Sequence, residues 1–271
     1  MSAAPDIAIR IEGARKTFDG GLHAFGPIDA DILRGARVGL IGPSGCGKST
    51  LLRCIAGLEA LSDGAVAFAE TPAPGDIGFV FQDPVLPPWA RLRDVVALPL
   101  RLAGELDDGA RTQAALALVG LEDFADAYPR QLSGGMRMRA SLARAIITQP
   151  DYLFLDEPFA ALDEITRWEL NAELLHLADT QPAERRLIPA SADPATLIFV
   201  THSVFEAVFL CDQILVFGPR PGRIVRIIET PRADRRDPEF RLSTPYLQTC
   251  KDVSDALADA MRRESHQDRE A

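Results

Sequence analysis

The sequence has no long hydrophobic run. Its apolar segments are short; examples are YLFL at 152–155 and TLIFV at 196–200. A membrane-spanning helix needs about 20 consecutive apolar residues. We therefore expect no such helix in this chain. The N-terminus, MSAAPDIAIR, has no basic region followed by an apolar run, which argues against a signal peptide.

Cysteine is also scarce. The four cysteines are Cys46, Cys54, Cys211 and Cys250, and no two of them have the C-x-x-C spacing of a zinc site. Nothing in their positions suggests a disulfide framework, which fits a reducing cytoplasm.

Positive charge is outweighed by negative charge. The chain has 29 Lys and Arg against 39 Asp and Glu, a formal net charge of −10, and only three of the basic residues are lysines. This balance argues against a nucleic-acid partner that binds through a general basic surface.

A phosphate-binding motif occupies residues 42–49. GPSGCGKS matches the pattern G-x-x-x-x-G-K-[ST] between a predicted strand, RVGLI at 37–41, and a predicted helix, TLLRCIA at 50–56. In such a loop the backbone N–H groups cradle phosphates, the lysine reaches the β- and γ-phosphates, and the serine hydroxyl binds Mg²⁺. The alternative is a glycine-rich turn before a helix. The predicted ATP-binding residues are Gly42, Pro43, Ser44, Gly45, Cys46, Gly47, Lys48, Ser49 and Thr50.

Several continuous apolar segments predict strands that are covered on both faces, as in a parallel sheet flanked by helices. Ligands gather at the carboxyl ends of such strands. Polar residues follow these strands directly, and we expect them to converge near the phosphate loop: Gln82, Asp156, Glu157 and His202. The pattern between 84 and 150 is helical and predicts a helical subdomain inserted into the α/β core.

Two acids follow the predicted strand YLFL. In phosphoryl transfer one acid can hold Mg²⁺ and the next can orient or deprotonate the attacking water. We assign Asp156 to Mg²⁺ and Glu157 to the water. The alternative is an N-cap pair for the following helix.

The segment QLSGGMRMR at 131–139 predicts a second anion site, because a serine and two glycines lead directly into a helix. The alternative is a plain helix start with a serine N-cap. One nucleotide does not need two such sites on one chain, whereas two facing chains would use both.

Taken together, these motifs make the chain resemble the ATP-binding subunit of ABC transporters over residues 1 to about 228. The resemblance covers six motifs in order: the phosphate loop (42–49), Gln82 in VFQDP, LSGGM (132–136), LFLDEP, ALD (161–163) and His202 in VTHS. FQDPVLPPW and the segment from Glu206 to Ile224 further resemble importers of nitrate, sulfonate and taurine.

The resemblance implies a role for each matching residue. Phe18 would stack on adenine, with an ordinary packed aromatic as the alternative. Gln82 would touch Mg²⁺ and the water, and His202 would contact the γ-phosphate. In the opposite site of a dimer, Ser133, Gly134 and Gly135 would complete ATP binding and Asp163 would lie at the seam.

The resemblance also implies the fold and the setting. It implies an ABC-type phosphate-loop NTPase core with a mostly parallel sheet, an N-terminal antiparallel region and the helical subdomain, with a domain at 1–229 and an extension at 230–271. It implies an ATPase whose cofactors are ATP and Mg²⁺. Its partner would be a second ATP-binding subunit, expected to be an identical chain in a homodimer, and the pair would lie on the cytoplasmic face of the membrane. A permease helix would enter a groove at 83–96, where Trp89 is the candidate contact, and an extracytoplasmic solute-binding protein would act indirectly.

Two other functions stay open at this point. One is a soluble ABC-type ATPase that acts on nucleic acid or ribosomes, and the other is the subunit of an exporter. The single cassette, the absence of heptads and cysteine pairs and the acidic charge argue against the first of these. A separate chain without membrane helices, together with the importer-like motifs, favours import over export. For the end of the chain, the charged composition predicts disorder over the last six to eight residues.

Overall fold

A computed structural model describes residues 5–160, 162–179, 195–231 and 238–270. The chain divides into a first unit, residues 1–71 with 196–271, and a second unit, residues 72–195. Residues 180–194, most of a proline-rich surface loop predicted at 179–195, lie outside the described residues, as does residue 161 of the ALD motif.

An antiparallel sheet begins the first unit. It consists of β1 (Ile7–Phe18), β2 (Leu22–Leu33) and β4 (Asp63–Phe68), with β1 in the centre. Ile9 and Ile11 of β1 are buried and Arg10 between them is exposed, as expected for a strand with one face on a core. The predicted N-terminal antiparallel region is thus confirmed.

A second group of strands in the first unit contains β3 (Arg37–Ile41), β7 (Thr196–Thr201), β8 (Gln213–Phe217) and β9 (Ile224–Glu229), in the order β7-β3-β8-β9. β3 runs parallel to both of its neighbours, and β9 runs antiparallel to β8. Every residue of β7 is buried. Burial on both faces explains why these strands are continuously apolar in sequence.

Among the described residues, the α-helices of the first unit are α1 (Lys48–Ile55), α6 (Val204–Leu210) and α7 (Thr244–Glu270). α7 packs on α6, β8 and β9, and the Tyr246 hydroxyl donates to the Phe205 carbonyl oxygen at 3.0 Å. The sequence predicts disorder for the last residues, whereas the structure continues α7 through Glu270. Glutamate, glutamine and arginine propagate a helix well once it has begun.

The second unit contains two parallel strands, β5 (Ile77–Val80) and β6 (Tyr152–Asp156). Its helices are α2 (Leu92–Leu102), α3 (Ala110–Leu118), α4 (Gly134–Ile146) and α5 (Glu164–Asp179). The first three of these helices pack together and occupy the region that is helical in sequence. The domain boundaries expected from the sequence, at 84–150 and after 229, stay predictions.

Within the described residues, no helix combines the length and the apolarity that crossing a bilayer requires.

Candidate functional site

The phosphate loop lies between β3 and α1 in the first unit. Gly47 is the N-cap of α1 with a φ of 99°, in the left-handed region, and a Cβ there would lie 2.6 Å from the Ala24 carbonyl oxygen. Only glycine fits both requirements. Since Gly47 offers no side-chain cap, the first N–H groups of α1 keep their capacity to bind an anion.

Lys48 is buried at the start of α1. Its Nζ donates to the carbonyl oxygens of Gly42 at 2.8 Å and Pro43 at 2.9 Å. The ammonium group is therefore held above the loop by the loop's own backbone. A phosphate in the loop would meet a cation that is already positioned.

Phe18 ends β1, and 37% of its surface is exposed. The Lys16 Nζ lies 5.0 Å from the centroid of this ring and donates to Glu59 Oε1 at 2.6 Å. The cation and its carboxylate partner fix the position of the aromatic platform. Phe18 is thus partly packed and partly exposed, and its stacking on adenine stays a prediction.

His202 directly follows β7 and is exposed. Thr201, at the end of β7, is the register partner of Ile41, the last residue of β3. His202 and Gly42, the first residue of the phosphate loop, therefore follow neighbouring parallel strands at the same edge of the sheet. This placement agrees with the convergence that the sequence predicts.

The second unit brings two more predicted residues together. Gln82 Nε2 donates to Glu157 Oε2 at 3.3 Å. Asp156, the last residue of β6, is fully buried. Glu157 has a φ of 46°, a left-handed conformation that non-glycine residues seldom adopt and that is often found at functional sites.

The acid pair does not cap the following helix. α5 begins at Glu164, and Asp163 caps it: Oδ1 accepts from the Thr166 N–H at 3.0 Å, and Oδ2 accepts from the Thr166 hydroxyl at 2.7 Å. The N-cap interpretation of Asp156 and Glu157 is therefore wrong. Asp163 itself has a structural role as a cap, and its role at a dimer seam stays a prediction.

Ser133 is the N-cap of α4, and its Oγ accepts from the Met136 N–H at 3.2 Å. Ser133 therefore caps the helix, as the alternative interpretation of this segment predicts. Gly134 and Gly135 form the first turn of α4, with space for a Cβ at Gly134. Their contact with a nucleotide on another chain stays a prediction.

Trp89 is 79% exposed, and the neighbouring Val85 is 62% exposed. Trp89 is therefore not a core residue. Trp89 and Val85 are thus two exposed apolar side chains that follow Gln82 closely in sequence, and each could contact an apolar partner.

Four residues near the phosphate loop or Phe18 are not predicted from the sequence: Lys16, Glu59, and Arg220 and Gly222 in the turn between β8 and β9. Lys16 carried a signal, since it is one of only three lysines and precedes Phe18 by two residues. Glu59 and the turn reach the site only through tertiary packing, so no local pattern reveals them.

All four cysteines are free and buried. Burial raises the pKa of the Cys54 thiol to about 11, and it does the same for Cys250. Cys46 is a small buried member of the phosphate loop, with its Sγ 3.7 Å from Lys48 Nζ.

A phosphate loop after β3, and an acid pair with a glutamine partner after β6, define a phosphate-loop nucleoside triphosphatase. Comparisons with known proteins identify the family within this class.

The ABC transporter family matches residues 25–160. The chain is 44% identical to the taurine import ATP-binding protein TauB of Rhizobium johnstonii over 75% of each chain. It is 42% identical to the aliphatic sulfonates import ATP-binding protein SsuB 1 of Pseudomonas savastanoi pv. phaseolicola, over 86% of this chain and 92% of that one.

A solved structure of the ATP-binding cassette MJ0796, a dimer in a post-hydrolysis state bound to ADP and Pi, is also similar. It has a TM-score of 0.69 and 28% identity, and the match covers 83% of this chain and 100% of that chain. This protein belongs to the ABC transporter family as an ATP-binding cassette. The fold and the ATPase class expected from the sequence are thereby confirmed.

Proposed function

We propose that this protein is the ATP-hydrolysing subunit that energises import of a small solute, such as nitrate, a sulfonate or taurine, through a membrane permease. The observation that supports this most is the 42–44% identity to TauB and SsuB, two import ATP-binding proteins, over most of the chain. The exposed Trp89 and Val85 supply a surface for the permease.

ATP binding is assigned to the first unit. Phe18 takes the adenine on its exposed face, and residues 42–50 take the phosphates. Lys48 is already fixed above the loop and exchanges its carbonyl partners for phosphate oxygens. His202 contacts the γ-phosphate.

Hydrolysis is assigned to Glu157. Its carboxylate accepts a proton from the attacking water while the amide of Gln82, 3.3 Å away, orients it. The left-handed backbone at residue 157 departs from the extended conformation of β6.

The magnesium ligands proposed are Ser49, Gln82 and Asp156. A hydroxyl, an amide oxygen and a carboxylate are the oxygen donors that Mg²⁺ prefers together with phosphates and water. Asp156 fits this role in particular, because a fully buried carboxylate at a strand end is costly unless it is compensated. When bound, the ion neutralises charge on the β- and γ-phosphates.

The active form is proposed to be a homodimer. The N-terminus of α4, with Ser133, Gly134 and Gly135, would complete the site on the other chain, and Asp163 would lie at the seam. The dimer would sit on the cytoplasmic face of the membrane with its permease, and an extracytoplasmic solute-binding protein would deliver the solute.

Co-purification tests the transport assignment. The chain is tagged in its host, the membranes are solubilised in mild detergent, and the bound proteins are identified by mass spectrometry. We expect a multi-helix permease at about a one-to-one ratio, with a matched Trp89→Ala chain recovering less of it. Recovery only from the soluble fraction, with ribosomal or DNA-bound proteins, would overturn import and leave the ATPase assignment standing.

A further inference from the structure

A cavity of about 530 Å³ lies in the first unit between the β8–β9 turn and α7. Small-molecule sites have volumes of about 300–1,000 Å³. None of the assigned ATP-binding or catalytic residues lines this cavity. The residues that decide its chemistry are Arg220, Arg223, Val225, Arg226, Ala256 and Asp259.

The cavity is basic although the chain is acidic. Three arginines and one acid line it, and the acid, Asp259, pairs with Arg262 at 2.6 Å. In the part of the chain that the structure describes, Arg220, Arg223 and Arg226 form no ion pair with a carboxylate. Three neighbouring cations repel one another, and an anion with two or more charges relieves that repulsion.

The shape and chemistry favour a phosphate. Guanidinium groups bind phosphate oxygens through paired N–H donors, and three arginines suit a multiply charged group. Val225 and Ala256 give one wall a small apolar area, which leaves room for a short organic part of the ligand.

Arg220 connects this cavity to the phosphate loop. Its Nη2 lies 3.3 Å from the position that a Cβ on Gly45 would take. One guanidinium therefore borders both the loop and the cavity. An anion in the cavity lowers the positive potential at the loop, where a second anion has to bind.

We propose that this cavity binds a soluble phosphate-bearing small molecule, and that its binding weakens nucleotide binding at the phosphate loop through Arg220. The coupling rests on the proposed nucleotide-binding role of the loop, whereas occupation of the cavity does not.

Inorganic pyrophosphate is the probe. The Kd for a fluorescent ADP analogue is measured on the full chain at increasing pyrophosphate and constant ionic strength. We expect the Kd to rise at least about fivefold, the lower end of common allosteric coupling, and then to reach a plateau. Simple competition inside the phosphate loop would raise the Kd without a plateau, and that result would overturn the proposal.

The matched variants are Arg223→Gln/Arg226→Gln, which removes two cavity charges, and Arg10→Gln/Arg15→Gln, which removes two exposed charges from β1 of the same unit. The first pair should abolish the plateau and leave the Kd without pyrophosphate near the wild-type value. The second pair should behave as the wild type. If both double variants lost the plateau equally, the effect would be one of general charge, and the cavity site would be refuted.

Two further measurements separate the remaining outcomes. If the wild type binds no ADP, the proposed nucleotide site fails. Direct titration of pyrophosphate into the wild type and the cavity variant then still shows whether the cavity binds the anion.

Sedimentation with phosphatidic acid vesicles tests a membrane source of the phosphate. Vesicle binding that needs Arg223 and Arg226, without a pyrophosphate plateau, would overturn the assignment to a soluble ligand.

Discussion

At the scale of single residues, the backbone of Glu157 is the most informative feature. A glutamate gains nothing intrinsic from a left-handed conformation, so the surrounding chain must hold it there. Its carboxylate faces the Gln82 amide, and the buried Asp156 precedes it. The proposed base, Glu157, and the proposed metal ligand, Asp156, are therefore one peptide unit apart.

The change Glu157→Gln tests this assignment. The amide keeps the size and the polar contact of the carboxylate but cannot accept the proton. We expect ATP to bind with unchanged affinity while the rate of hydrolysis falls by at least about 10²-fold, the usual size of a general-base contribution. The readouts are phosphate release and ATP binding by calorimetry. Glu169→Gln, an exposed change on α5, is the matched control, and normal hydrolysis by Glu157→Gln would assign the water to another residue.

At the scale of elements, the turn after β8 supports the phosphate loop. A Cβ on Gly222 would lie 2.0 Å from the Cys46 carbonyl oxygen. The Gly222 N–H also donates to the Ala24 carbonyl oxygen at 3.1 Å, and Gly26 N donates to the Gly222 carbonyl oxygen at 2.8 Å. Segments from β2, the loop and the turn thus meet through backbone atoms with no room for a side chain.

Gly222→Ala should therefore disturb the loop. The added methyl group has to displace backbone, and overpacking of this kind costs about 1–3 kcal/mol of unfolding free energy. We expect weaker nucleotide binding together with a lower urea midpoint. Gly218→Ala in the same turn is the control, because its Cβ would meet the movable Val225 side chain at 3.1 Å. Equal effects of the two changes would argue against specific support of the loop.

The elements differ in how far the sequence predicts them. β3, β6 and β7 are continuous apolar runs that end in polar residues, so their existence and the residues after them are predictable. β1 continues to Phe18, well past the alternating IAIRI, because its second half is held by pairing with β2 rather than by its own pattern. From the sequence we predict no helix as long as α7, whose apolar residues meet their partners on α6 and β8.

The residues of the site also differ in how far the sequence predicts them. Local motifs identify the phosphate loop, the acid pair and His202 in sequence. The Lys16–Glu59 pair beneath Phe18 joins residues 43 positions apart, and the contact of Arg220 with the loop spans a still longer separation. Such contacts follow from packing, which a single sequence does not display.

At the scale of the whole molecule, the proposed site is complete only with a second copy. Glu157→Gln should therefore form a dimer when ATP is added, with twice the monomer mass in light scattering. ADP should leave it monomeric, because only the γ-phosphate reaches the N-terminus of α4 on the facing chain. The added change Ser133→Arg should keep the protein monomeric with ATP. A dimer that persists in this double variant would place the interface elsewhere.

The burial of all four thiols has a practical consequence for spectroscopy. At neutral pH the Cys54 and Cys250 thiols, with pKa values near 11, carry almost no thiolate, the form that reacts with maleimide labels. The native sequence is thus a ready background in which one added surface cysteine becomes the preferred labelling position. Pairs of such labels would allow distances to be followed through an ATP cycle without first replacing the cysteine of the phosphate loop.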